Sequence, residues 1–133
     1  IFGQSYDDLV LFAHENDGNL IHMEGQKVFR FATEKIIETI EELLKKANIN
    51  KDDVKHFIFH QANQRIFEYV AKTLEIPYSR IYQNIDHYGN TSSASIPILL
   101  DECFRKHIFN SGDKTILLGF GGGLAWGGIL FEW

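Results

Sequence analysis

The sequence predicts an α/β domain with a mainly parallel sheet, finished by an antiparallel pair of strands. Three observations predict it. Apolar runs of β character alternate with stretches of helical period through the middle of the chain. The last two apolar runs, residues 114–119 and 124–133, are joined by a short loop built on Gly121-Gly122-Gly123, which leaves no room for a helical crossover. A length of 133 residues, 44% apolar and 14% aromatic, suits one compact core.

Residues 1–26 are the least regular part. A short strand is expected at residues 9–13, then a turn signalled by Asp17-Gly18. Residues 28–31 read as a short β-type run. A helix follows from Thr33, which is placed to cap it, and Ile36, Ile37, Ile40, Leu43, Leu44 and Ala47 keep helical spacing. The polar stretch 48–53 ends that helix. A strand is expected at residues 54–59, then a helix over 62–74 through Ile66, Phe67, Val70, Ala71 and Leu74. Pro77 opens a loop. A brief strand is expected at 80–85 and a turn at 87–91. Ser92 or Ser93 caps the next helix, whose buried stripe is read as Ile96, Leu99, Leu100, Cys103 and Phe104. Pro97 is tolerable in that helix's first turn. Ser111-Gly112-Asp113 turns the chain into the final strand pair, where Gly127-Gly128 signals close strand packing.

The formal net charge of −5 argues against a general nucleic-acid binder, which needs a basic face. No apolar stretch is long enough to span a bilayer, so no membrane role is expected. The first residue is Ile1 rather than Met, which points to a processed or truncated start. The single cysteine, Cys103, forms no internal disulfide and fits a reducing compartment such as the cytoplasm. Its place on an apolar helical stripe reads as core, not as a nucleophile. The histidines are scattered, with His56 and His60 on a strand, so no metal site is expected.

Chemistry collects beyond the carboxyl ends of strands in α/β sheets. His60 stands at such an end, in the stretch FIFHQANQRIF, with a helix start beside it that opposes its protonation. Position alone leaves two readings open, a reacting imidazole or a strand-end cap. Asn90, between Gly89 and Thr91, offers an uncharged donor for a carbonyl oxygen, or ordinary turn chemistry. Phe120-Gly121-Gly122-Gly123 permits close approach of backbone N–H groups to an oxyanion, or forms a tight hairpin. It does not have the spacing of a phosphate loop. Arg65, near a helix start, is free to meet a phosphate or an acidic partner, or to stay a solvated charge.

Taken in order, HQANQRI, DHYGNTSSASIPILLDE and GFGGGLAWGG, with IHMEGQKVFRFAT upstream, closely resemble the C-terminal half of β-ketoacyl-acyl-carrier-protein synthase III. The resemblance covers nearly the whole chain, least clearly residues 1–20. It implies a thiolase-like fold, one half of an α-β-α-β-α layered molecule with a mixed five-stranded sheet. Residues 21–133 would form the C-terminal domain, and residues 1–20 would be a remnant closing the N-terminal half. It implies that His60 and Asn90 are catalytic, that Gly122 supplies an oxyanion N–H beside Phe120, and that Asn63 helps hold the substrate arm. Gln61, Ala62, Asn63, Gln64 and Arg65 would bind the acyl carrier protein. The implied reaction is decarboxylative condensation of acyl-CoA with malonyl-carrier protein, without cofactor, in a homodimeric enzyme. The family's nucleophilic cysteine belongs to the other half, so this chain is expected to be inactive alone. A related enzyme making a specialised polyketide-type product, and a non-catalytic module binding carrier protein, are the alternatives.

Overall fold

The computed structural model describes residues 2–3, 10–11 and 22–133, with side chains from Met23 onward. A five-stranded mixed sheet holds five elements in the order β1-β7-β6-β4-β5: β1 (Phe2–Gly3), β7 (Ala125–Glu132), β6 (Lys114–Gly121), β4 (Val54–Phe59) and β5 (Ile81–Tyr82). β4 runs parallel to both β5 and β6, while β6–β7 and β7–β1 are antiparallel. β2 (Val10–Leu11) and β3 (His22–Met23) pair separately. The expected strand at residues 9–13 is described only as β2, and the expected turn at Asp17-Gly18 lies outside the described residues.

The α-helices among the described residues are α1 (Gly25–Ala47), α2 (Gln64–Thr73), α3 (Ile85–Tyr88) and α4 (Ser95–Arg105). α1 and α2 cover one face of the sheet. Phe57 and Phe59 of β4 and Ile116 and Leu118 of β6 join Ile36, Ile40, Phe67 and Val70 there. α4 covers part of the other face, where Ile58 meets Leu99 and Cys103. The period of two along β4 therefore sends Phe57 and Phe59 one way and His56, Ile58 and His60 the other.

Several expectations are corrected. Residues 28–31 are helical, because α1 begins at Gly25. Thr33 does not cap that helix; it is buried in its interior, and its hydroxyl donates back to the carbonyls of Phe29 and Arg30 at 3.0 and 2.9 Å. Asn48 closes α1 in the left-handed region at φ 54°, its N–H reaching Lys45 O. The strand expected at 80–85 is only Ile81–Tyr82, and the expected turn at 87–91 begins inside the short helix α3. Neither Ser92 nor Ser93 caps α4 by a side-chain hydrogen bond; they lie in a separate 3₁₀ turn, Ser92–Ala94. Phe104 is 66% exposed, since the stripe that packs runs through Leu99 and Cys103, four residues apart. Gly128 does mark a close approach, but to a helix: a Cβ there would meet Thr39 Cγ2 at 2.8 Å and Leu43 Cδ1 at 3.0 Å, both on α1.

Candidate functional site

Three strand ends build the site. β4 extends one residue past its end, because His60 N donates to Leu118 O at 2.8 Å. β6 ends at Phe120 and Gly121, next to it. The segment after β5 passes through α3 and returns at Gly89 with φ 67°, a value that suits glycine, to present Asn90. His60, Asn90, Phe120 and Gly122 line one cleft of about 420 Å³, walled by Val28 and Phe31 of α1 and by Leu124. A second cleft adjoins it, sharing His60, Phe120 and Gly121 and adding Ser93 and Ser95.

The His60 ring lies edge-on to Phe120, with centroids 5.2 Å apart. Its Nδ1 is 2.7 Å from Ser95 Oγ, in the first turn of α4, and that same Oγ accepts the Gln61 N–H at 3.2 Å. Burial pushes the imidazole below its ordinary value of 6.5. Loss of solvation acts in the same direction as the helix start expected to oppose its protonation. Asn90 is exposed, and its Oδ1 accepts the Ser92 N–H at 2.9 Å, so its amide N–H groups are left for a ligand.

Asn63 does not line the cleft. It caps α2, its Oδ1 accepting the Arg65 N–H at 3.0 Å. Gln64 and Arg65 are exposed in the first turn of that helix; Gln64 donates to Glu68 at 3.0 Å, and Arg65 has no ion pair among the described residues. Gln61 is a correction. It is fully buried, its Nε2 donating to Phe59 O at 2.8 Å and its Oε1 accepting the Asn84 N–H at 3.1 Å, so it cannot present itself to a docking partner. Instead it ties the end of β4 to the start of α3. Cys103 is 3% exposed among apolar neighbours, lines neither cleft, and burial pushes its thiol up.

Two contributions escaped the sequence. Val28 and Phe31 form the apolar wall of the cleft, and their three-residue spacing was available as a signal once the helix is started at residue 25. Ser95 bonds the histidine across 35 positions, and nothing local in the sequence shows that.

Comparison with known proteins adds to this geometry. A family model described as 3-oxoacyl-[acyl-carrier-protein (ACP)] synthase III, C terminal, matches residues 44–133. A β-ketoacyl-[acyl-carrier-protein] synthase III of Clostridium botulinum is 50% identical over 119 residues, which are 90% of this chain and 36% of that protein. The crystal structure of 3-oxoacyl-(acyl carrier protein) synthase III from Pseudomonas aeruginosa PAO1 has a TM-score of 0.87 at 35% identity, covering 95% of this chain and 40% of that one. Its counterpart from Aquifex aeolicus VF5 has a TM-score of 0.84 at 34% identity, covering 98% and 46%. The chain thus spans about a third of the length of the curated relatives it matches.

Proposed function

Because the chain belongs to the 3-oxoacyl-[acyl-carrier-protein] synthase III family, as its C-terminal part with a thiolase-like α/β fold, we propose that it supplies the decarboxylating half of a condensing active site. The substrates in this reading are acyl-CoA and malonyl-carrier protein, and no cofactor takes part. A cysteine in the remainder of the synthase takes the acyl group, and CoA leaves as its thiol. The malonyl thioester then enters the cleft with its carbonyl oxygen toward His60 and Asn90. Its C–C bond to the carboxylate breaks, CO₂ leaves, and the electron pair moves into an enolate. An imidazole N–H and an amide N–H meet the oxygen as its charge grows, each worth about 3 kcal/mol by the usual scale of oxyanion donors. The enolate carbon attacks the acyl thioester, whose oxygen is held by backbone N–H groups including that of Gly122. The cysteine leaves as thiolate.

One observation carries the reading. Both donors line one cleft, and each has its other polar atom already occupied: His60 Nδ1 by Ser95, Asn90 Oδ1 by Ser92. His60 Nε2 and Asn90 Nδ2 have no partner among the described residues. Lowered basicity of the imidazole supports a neutral donor. The burial of Cys103, away from the clefts, supports a nucleophile contributed from elsewhere and an inactive chain on its own. The exposed Gln64 and Arg65, with Ala62 and Asn63 beside them, supply the docking face for the acidic carrier protein. The complete enzyme is read as a cytoplasmic homodimer.

The test uses a full-length synthase carrying this sequence as its C-terminal part. His60→Ala and Asn90→Ala are each expected to slow malonyl decarboxylation by about 10²–10³-fold, while acyl transfer from acyl-CoA to the enzyme stays within a few-fold of the parent. Acylation lost with decarboxylation intact would reverse the assignment.

A further inference from the structure

We infer that Ser95 is a positioning residue that fixes His60 as the Nε2–H tautomer and aims that N–H into the cleft. The catalytic consequence rests on the condensing reading above; the tautomer itself rests on hydrogen-bond accounting alone.

Ser95 is 1% exposed and opens α4. Its hydroxyl has one proton to give and lone pairs to receive with. The oxygen already accepts the N–H of Gln61 at 3.2 Å. Its other neighbour is His60 Nδ1 at 2.7 Å, and these two are its partners among the described residues. If Nδ1 carried the imidazole proton, two donors would converge on Oγ, and the buried hydroxyl proton would have no acceptor. Buried donors without acceptors are rare because they lose their hydration for nothing. The consistent assignment has the hydroxyl donating to a bare Nδ1. The neutral ring then carries its proton on Nε2, the nitrogen left for a ligand.

The arrangement is held from behind. Gln61 is locked by Phe59 O and Asn84 N, and Asn84 in turn donates to Glu102 on α4 at 3.1 Å. The Gln61 N–H therefore stays trained on Ser95, and α4 stays tied to the loop that ends β4. Partners that orient a metal-ligating imidazole from behind matter by about 10–100-fold when removed, and the same scale is taken for an imidazole that is oriented the same way without a metal. A free hydroxyl elsewhere in the Ser92–Ser95 run could not substitute, since only Ser95 reaches Nδ1 among the described residues.

The test is nitrogen-15 NMR of the histidine side chains in that same full-length synthase, with His60→Gln used to assign the signal. At a pH where the ring is neutral, His60 is expected to show a protonated Nε2 and a bare Nδ1. A protonated Nδ1 would overturn the inference whatever the activity. Ser95→Ala is expected to mix the two tautomers and lower kcat for malonyl decarboxylation by about 10–100-fold, with KM for the malonyl substrate changed less. Ser95→Thr, which keeps the hydroxyl, is expected to restore the tautomer and most of the rate. Ser95→Ala with an unchanged tautomer and rate would also overturn it. If Ser95→Ala fails to fold, the wild-type spectrum still decides. A correct tautomer in a parent enzyme that does not decarboxylate malonyl thioesters would sink the condensing reading and leave the tautomer standing.

Discussion

Protonation of His60 at Nδ1 would set its N–H against the Ser95 hydroxyl that donates to it across 2.7 Å, so this arrangement needs the neutral ring, and burial helps by holding its pKa below 6.5. The sign of the pH effect follows. The unfolded chain binds a proton at this histidine near pH 6.5, and the folded chain does so only at lower pH. Folding is therefore favoured above 6.5, and that contribution fades as pH falls through the window below it. Decarboxylation by the full-length enzyme is expected to stay level from neutral pH down through 6.5 and to decline only at more acid pH. Urea midpoints of the parent should fall more steeply below pH 6.5 than those of His60→Gln. A rate already halved at or above pH 6.5 would show that the cleft does not desolvate the ring.

The residues that were legible at this scale share a physical reason. His60, Phe120 and Gly122 stand at or just past strand ends and Asn90 follows the turn at Gly89, and the period of a strand and the position of a turn are local properties. Gln61 was misread for the opposite reason. The resemblance places it on the docking segment, yet both polar atoms of its amide have a partner inside the fold, Nε2 in Phe59 O and Oε1 in Asn84 N–H, which offsets the cost of burying it. That satisfaction depends on a residue 23 positions away, which no local pattern displays.

Among the elements, α1 starts earlier than its helical spacing suggests, and the α4 stripe of Ile96, Leu99, Leu100 and Cys103 packs inward without Phe104; both differences come from tertiary packing overruling local preference. Val28-Phe29-Arg30-Phe31 is β-like in composition, but as helix it sets Phe31 edge-on to Trp126 of β7 at 5.6 Å and gives the cleft its wall. The same helix explains why β7 needs glycine at position 128. α1 lies so close that Thr39 Cγ2 and Leu43 Cδ1 fall within 3.0 Å of a hypothetical Cβ, with Leu117 O at 3.3 Å behind it. Gly128→Ala should therefore force α1 away from the strand, at a cost of about 1–3 kcal/mol in the range of overpacked cores. Gly121→Ala makes a matched control: it has open space around its Cβ and no positive φ, so its effect is expected to lie within about 0.5 kcal/mol. Chemical denaturation of the two variants decides. Equal, small effects would mean that α1 does not bear on β7 as closely as 2.8 Å implies.

At the scale of the whole molecule the sheet is dressed unevenly. α1 and α2 cover one face, but α4 covers only the β4 side of the other. Beside α4, the β6–β7 surface lies open as an apolar groove of about 470 Å³, bordered by Ile96, Leu117, Gly127 and Ile129. Ile129 is 61% exposed, although it sits mid-strand opposite Leu117, where a two-sided sheet would bury it. In the condensing reading this face packs against the remainder of the synthase, some two thirds of the relatives' length. Ile129→Lys separates that account from a freely solvated face. In the full-length synthase, the substitution puts an unpaired ammonium into a covered interface and is expected to cost about 2 kcal/mol or more, read as a lower urea midpoint. In the 133-residue chain alone, the same substitution is expected to leave folding within about 0.5 kcal/mol and to reduce self-association in sedimentation, because it breaks up an exposed apolar patch. A midpoint unchanged in the full-length protein would mean that nothing covers Ile129 there, and the packing of the two parts across this face would have to be abandoned.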